Sequence, residues 1–174
     1  MKRRELLVTG ASAAAATAGC AGRLGGGGTA AESRGLTLES LAVGGSPGGP
    51  VALRPPGKVV VLDFFATWCA PCKPEMANLR AVRSAFSPER VFLVSITQET
   101  DEAAIRQFWQ TYEGTWPVVM DPDLEAVRKY DVAGVPTIIV LAPDGTRVMR
   151  HRGLAGEERL FEAVREALDG EGSG

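Results

Sequence analysis

The side chains in this chain best suited to sulfur chemistry are Cys69 and Cys72, two residues apart within DFFATWCAPCKPEM (63–76). Such a pair has three uses: half of a metal site, a permanent cross-link, or a disulfide that is repeatedly made and broken. A structural zinc site takes about four ligands, usually from two such pairs or from one pair plus histidines. Here the third cysteine is Cys20, distant in sequence, and the one histidine is His151, so a metal site is not expected. A permanent cross-link over two residues closes a very small loop and adds little chain-entropy stabilisation. The redox use has a positive argument. A thiol at a helix N-terminus meets unpaired N–H groups and the positive end of the helix dipole, both of which favour thiolate. Thiols in C-x-x-C motifs reach pKa values of about 3.5–7.5, against about 8.5 for a free cysteine.

The surrounding pattern supplies that helix end. KVVVLDFF (58–65) is an almost unbroken apolar run, the mark of a strand buried on both faces. Met76, Leu79, Val82 and Phe86 then recur at helical spacing, and Pro88 closes the segment. Cys69 is therefore expected to cap this helix and act as the attacking thiol. Cys72 is expected one turn inside, shielded, as the resolving thiol. Pro71 is tolerated in the first turn, where its missing N–H is not needed.

Farther along, VFLVSI (91–96) reads as a second buried strand, and Ile105, Phe108, Trp109 and Tyr112 form one stripe of a second helix capped by Thr100 or Asp101. WPVVMD (116–121) reads as a short strand, and Leu124, Val127 and Tyr130 mark a short helix. TIIVLA (137–142), PDG (143–145) and TRVMRHR (146–152) read as a hairpin. Leu160, Phe161, Val164 and Leu168 give a last amphipathic helix. Residues 36–57 read as an added strand or hairpin with Gly/Pro turns. Strands alternating with helices and then ending in a hairpin predict an α/β sandwich with parallel central strands and an antiparallel edge.

The N-terminus reads as targeting. MKRRELLVTGASAAAATAG (1–19) has a basic start and a mild apolar stretch too short to span a membrane. Arg3 and Arg4 ahead of Leu6 and Leu7 resemble a twin-arginine export signal, and TAGC (17–20) resembles a lipobox with Cys20 as the lipid attachment site; cleavage after Ala18 is the alternative. Residues 20–35 are a Gly-rich tether with a root-mean-square span of about 20 Å, and 170–174 a disordered tail. The expected location is extracytoplasmic, anchored to a membrane through Cys20. Net charge is −2, with no basic block beyond the first four residues, which argues against a nucleic-acid partner. A single histidine also argues against His-based triads.

DFFATWCAPCKPEM together with GVPT (134–137) resembles the thioredoxin superfamily, and in particular the membrane-tethered thiol–disulfide oxidoreductases of the TlpA/ResA type. The resemblance covers residues 36–169. It implies a thioredoxin-like three-layer sandwich, a mixed sheet flanked by helices, with an N-terminal hairpin extension and an insertion over residues 98–120. It implies that Cys69 attacks and Cys72 resolves, that Trp68 flanks the motif, and that Pro136 is a cis proline presenting Val135's backbone to an extended substrate. It places Asp63 where a buried acid takes the resolving cysteine's proton, an exposed strand-end carboxylate being the alternative. Glu75 matches the Glu of a C-x-x-C-x-x-E pattern, and an ordinary first-turn acid explains it nearly as well. The implied partners are protein disulfides in exported proteins, such as apocytochrome c or metal-site cysteines, and a membrane thiol carrier as electron donor. No cofactor beyond the Cys69–Cys72 disulfide is implied.

The chain departs from the family pattern in its helix, where it has Ala77 at the position of a helix-kinking proline in many relatives and Pro74 instead, and between the cysteines, where it has neither the Gly-Pro of reducing thioredoxins nor the Pro-His of strong oxidants. The intervening dipeptide, Ala70-Pro71, lacks the histidine of strong oxidants, so a reductant is expected. Trp109 and Trp116 are expected in the core rather than at a substrate. Two rivals are a thiol peroxidase of the peroxiredoxin type, whose motif places Thr three residues before Cys where Thr67 is two before Cys69, and a copper carrier, which needs C-x-x-x-C.

Overall fold

The computed structural model describes residues 35–170. The expected export signal (1–19), Cys20 and nearly all of the tether and tail lie outside that range.

Seven strands form one mixed sheet in the order β2-β1-β5-β4-β3-β6-β7. β1 (Thr37–Val43) and β2 (Ser46–Ala52) form the N-terminal antiparallel hairpin. β3 (Val59–Phe64) and β4 (Val91–Thr97) pair in parallel, and β5 (Val118–Met120) extends β4 in parallel. β6 (Thr137–Leu141) lies antiparallel on the other side of β3, and β7 (Arg147–Arg152) closes that edge. Four helices cover the sheet: α1 (Cys72–Ala85), α2 (Glu102–Thr111), α3 (Glu125–Lys129) and α4 (Glu157–Asp169). The residues expected to form an insertion hold α2 and serve as the β4–α2–β5 crossover.

β3 explains the layering. All six of its residues are buried, because a central strand has a core on each face. Val59 and Val61 join Met76, Leu79 and Val82 of α1, Ile105 and Trp109 of α2, and Leu160 and Val164 of α4. Val60, Leu62 and Phe64 face the other way, into a smaller core with Ala126 of α3. Alternation therefore puts Asp63 on the α1 side. Its cross-strand neighbours are Ser95 of β4 and Ile138 of β6.

The helix ends are set locally. Asp101 caps α2, its carboxylate accepting from Ala103 N at 3.0 Å and Ala104 N at 3.1 Å. Asp121, fully buried, accepts from Glu125 N at 2.7 Å and Val127 N at 3.0 Å and so starts α3. Leu124, expected inside α3, instead precedes it with φ 57° and stands at the surface. The register is set by Asp121 rather than by the apolar stripe. Pro74 sits in the first turn of α1, where a proline breaks no intrahelical bond.

Candidate active site

β3 ends against the core, and the chain turns through Thr67–Pro71 before α1 begins. Cys69 N donates to Ala66 O at 3.1 Å, and Cys72 N donates to Cys69 O at 3.2 Å. This tight turn brings the two Cα atoms to 5.4 Å, and the sulfurs are bonded at 2.10 Å. The helix starts at Cys72, with Pro71 in the cap position and no side-chain cap bond. Cys69 therefore stands one turn ahead of α1 rather than capping it, and Cys72 is its first residue rather than one turn inside. The reason is the turn itself, which spends Cys72's N–H on Cys69's carbonyl. Both cysteines are buried, while Trp68 beside them is 73% exposed.

Behind the pair, on the α1 face of β3, lies Asp63, 2% exposed. Burial is the main cause that raises its pKa from 3.8 to about 7; a hydrogen bond from Ser95 opposes the rise, and the negative charge of Glu75 adds to it. Ser95 Oγ donates to Asp63 Oδ2 at 2.6 Å and accepts from Trp116 Nε1 at 2.9 Å. Trp116 and Trp109 are both core residues, packed edge to face with centroids 5.3 Å apart.

Glu75 is not a surface acid. It is 1% exposed, its Oε2 accepts from Ala155 N at 2.6 Å, and Asn78 Nδ2 donates to Oε1 at 3.3 Å. Burial pushes its pKa up, against the pull of those bonds and of His151. The carboxylate thus ties the first turn of α1 to the segment that precedes α4.

The Val135–Pro136 peptide is cis. Pro136 O accepts from Gly153 N at 2.8 Å, and Thr137 Oγ1 donates to Gly134 O at 2.6 Å, which holds the loop onto β7. Between this loop and Trp68 runs a groove of about 650 Å³ lined by Phe65, Val132 and Val135, with Glu99 and Arg152 as its charged residues. The structure thus gathers Asp63, Cys69, Cys72 and Glu75 on one side and Trp68 and Val135 along one groove. Among the described residues no cluster of three or more His, Cys, Asp or Glu is placed to hold a metal.

Two contributors escaped the sequence. Glu99 accepts from both Thr67 N and Thr67 Oγ1 at 2.7 Å, which pins the turn ahead of Cys69 from the end of β4. Ser95 reads as one residue of an apolar strand until the parallel register sets it beside Asp63. A polar residue at the same parity as Val91 and Leu93 is the only signal it left.

Comparison with known proteins gives consistent neighbours. Residues 49–149 match the AhpC/TSA family. The thiol-disulfide oxidoreductase ResA of Bacillus subtilis is 31% identical over 118 residues, 68% of this chain and 66% of that protein. The ResA protein of Bacillus thuringiensis subsp. konkukian is 27% identical over 110 residues, 63% of this chain and 64% of that protein. The chain thus spans slightly less than two thirds of the length of these relatives. Among solved structures, a secreted Mycobacterium tuberculosis disulfide oxidoreductase homologous to Escherichia coli DsbE superposes with TM-score 0.65 at 25% identity, covering 78% of this chain and 98% of that one. StoA from Bacillus subtilis superposes with TM-score 0.63 at 23% identity, covering 74% and 94%.

Proposed function

The chain belongs to the AhpC/TSA family, and from that premise we propose that it is a thiol–disulfide oxidoreductase that reduces disulfides of exported proteins through Cys69 and Cys72. One observation carries the reading: a bonded cysteine pair next in sequence to Trp68, which lines the groove, with an acid of pKa about 7 buried on the same face of β3. An acid poised near neutrality is suited to exchange protons at working pH.

In the reduced protein the Cys69 thiolate attacks one sulfur of the substrate disulfide. A Cys69–substrate bond forms and the substrate's second sulfur leaves as thiolate. Cys72 then passes its proton to Asp63, and the Cys72 thiolate attacks Cys69 Sγ. The mixed disulfide breaks, the substrate leaves with both sulfurs reduced, and the protein holds the Cys69–Cys72 bond. Two electrons have moved from protein to substrate, and a dithiol carrier must return them. Trp68, the most exposed apolar side chain beside the pair, and the Val135 backbone hold an extended segment of substrate across the groove.

The secreted Mycobacterium tuberculosis neighbour and the N-terminal sequence support an extracytoplasmic site of action, with Cys20 as lipid anchor. The substrate class proposed is exported cysteine pairs such as those that bind haem in apocytochrome c or copper. The test is the reduction potential of the pair in the 174-residue chain carrying Cys20→Ser, equilibrated in thiol–disulfide buffers. A value near or below about −250 mV supports a reductant. One near about −120 mV makes the protein a disulfide-forming oxidant. The absence of a reversible two-electron couple removes the reading altogether.

A further inference from the structure

We propose that Ser95 and Trp116 are positioning residues for the proton transfer: the indole orients the serine hydroxyl, the hydroxyl occupies Asp63 Oδ2, and Oδ1 is left as the oxygen that exchanges a proton with Cys72. The inference rests on the reading of the pair as redox-active and deepens it.

An indole N–H only donates, and a serine hydroxyl has one proton to give. Trp116 Nε1 donates to Ser95 Oγ at 2.9 Å, so the serine cannot return its proton in that direction. The proton goes to Asp63 Oδ2 at 2.6 Å. The chain of bonds therefore has one polarity, from Trp116 through Ser95 to Asp63. All three residues are buried, at 1%, 0% and 2% exposure, so bulk water does not compete for the links. The serine is itself held from both sides of its strand, by its register with Asp63 and by Ser95 N donating to Pro117 O at 3.0 Å. Trp109 shows that such a bond is not automatic for an indole in this core, since its Nε1 is buried without an acceptor.

A donor aimed at one carboxylate oxygen favours the charged form, while burial favours the neutral one. The other ionisable groups on this face are Glu75 and the two cysteines, carried by α1 and the turn before it, and His151 of β7, which acts on Glu75. At the register of Asp63, β4 presents Ser95 and β6 presents Ile138, neither of which titrates. Removing the serine hydroxyl therefore acts on Asp63 without removing a charge.

The test follows the Asp63 carboxyl by carbon NMR through a pH titration of the oxidised 174-residue chain. Ser95→Ala is expected to move the midpoint up by about one pH unit, the size of a lost hydrogen bond to a charged group. Ser95→Thr keeps the hydroxyl and is expected to keep the midpoint. Trp116→Phe is expected to give a smaller upward shift, and Ser95→Ala with Trp116→Phe no more than Ser95→Ala alone, because the indole acts through the serine. The acid limb of mixed-disulfide resolution against pH, along which Asp63 becomes free to accept the proton, is expected to move with the midpoint. An unchanged midpoint in Ser95→Ala overturns the proposal, as does an undiminished Trp116→Phe shift in the Ser95→Ala background. Should Trp116→Phe fail to fold, the two Ser95 variants decide alone. The titration does not require the pair to turn over, so a missing redox couple with an intact midpoint shift would remove the functional reading, and the relay role with it, and leave only the hydrogen-bond chain from Trp116 to Asp63. A normal couple with no shift would do the reverse.

Discussion

At the residue scale the two cysteines have unequal tasks, and single substitutions separate them. Cys69 precedes α1 and adjoins exposed Trp68, whereas Cys72 is the helix's first residue, tucked beneath the turn. With Cys72→Ser the attack still occurs but resolution does not. The expected outcome is an accumulated covalent adduct with a disulfide substrate, seen as the summed mass under non-reducing conditions and released by added thiol. Cys69→Ser is expected to give no adduct at Cys72 on the same timescale, because Cys72 is the first residue of α1 and lacks the exposed Trp68 as its neighbour in sequence. Equal trapping by both variants would contradict the assignment. Trp68 contributes apolar area that is exposed in the free protein, so Trp68→Ala is expected to lower kcat/KM by about tenfold, the effect of losing roughly 1.4 kcal/mol of contact. Its redox potential should stay unchanged, since no hydrogen bond to the pair is lost.

At the scale of elements the site depends on how the turn before α1 is held from outside. Glu99 grips Thr67 from the end of β4, and Glu75 grips the segment before α4 from inside α1. α2 is seated with similar closeness. A Cβ on Gly114 would lie 2.2 Å from the Trp109 indole, and rigid ring atoms cannot yield that space. Gly114→Ala is therefore expected to cost about 1–3 kcal/mol in urea unfolding through displacement of Trp109. An unchanged midpoint and slope would mean that α2 moves freely, against the packing described. The elements themselves were legible in the sequence because burial imposes periodicity. KVVVLDFF, the Met76–Leu79–Val82 stripe and the paired runs around PDG each reveal which faces are covered. What periodicity cannot show is register between strands distant in sequence. Ser95 meets Asp63, and Glu99 meets Thr67, across 32 residues in each case. Nor does it show which local bond wins at a helix end: a buried Asp121 moved the start of α3 past Leu124, and the turn's own hydrogen bonds placed Cys69 ahead of α1.

At the scale of the whole molecule the buried acid sets a conflict between function and stability. Asp63 has a folded-state pKa of about 7 against 3.8 for the free side chain, with burial as the largest cause. Between those values the folded protein keeps a proton that the unfolded chain has released. Stability linked to Asp63 is therefore fully present below about pH 4, falls as pH rises, and is lost above about pH 7. An isosteric amide never ionises and escapes this loss, while still accepting the Ser95 hydroxyl through its oxygen. Asp63→Asn is thus expected to be more stable than the wild type at pH 8, by about 2–4 kcal/mol. The gap should close below about pH 3, where Asp63 is protonated in both states and the amide is neutral throughout. Groups that titrate alike in the two proteins cancel from the difference, so urea unfolding of the pair at several pH values reports on this carboxyl and on its coupling to Glu75. The same variant is expected to resolve mixed disulfides more slowly at neutral pH, having lost the oxygen that takes the Cys72 proton. A stability difference that does not vary with pH would mean that Asp63 titrates alike in the folded and unfolded chain, as an ordinary carboxyl. In that case the proton acceptor for Cys72 would have to be sought at Glu75, the other carboxyl buried on that face.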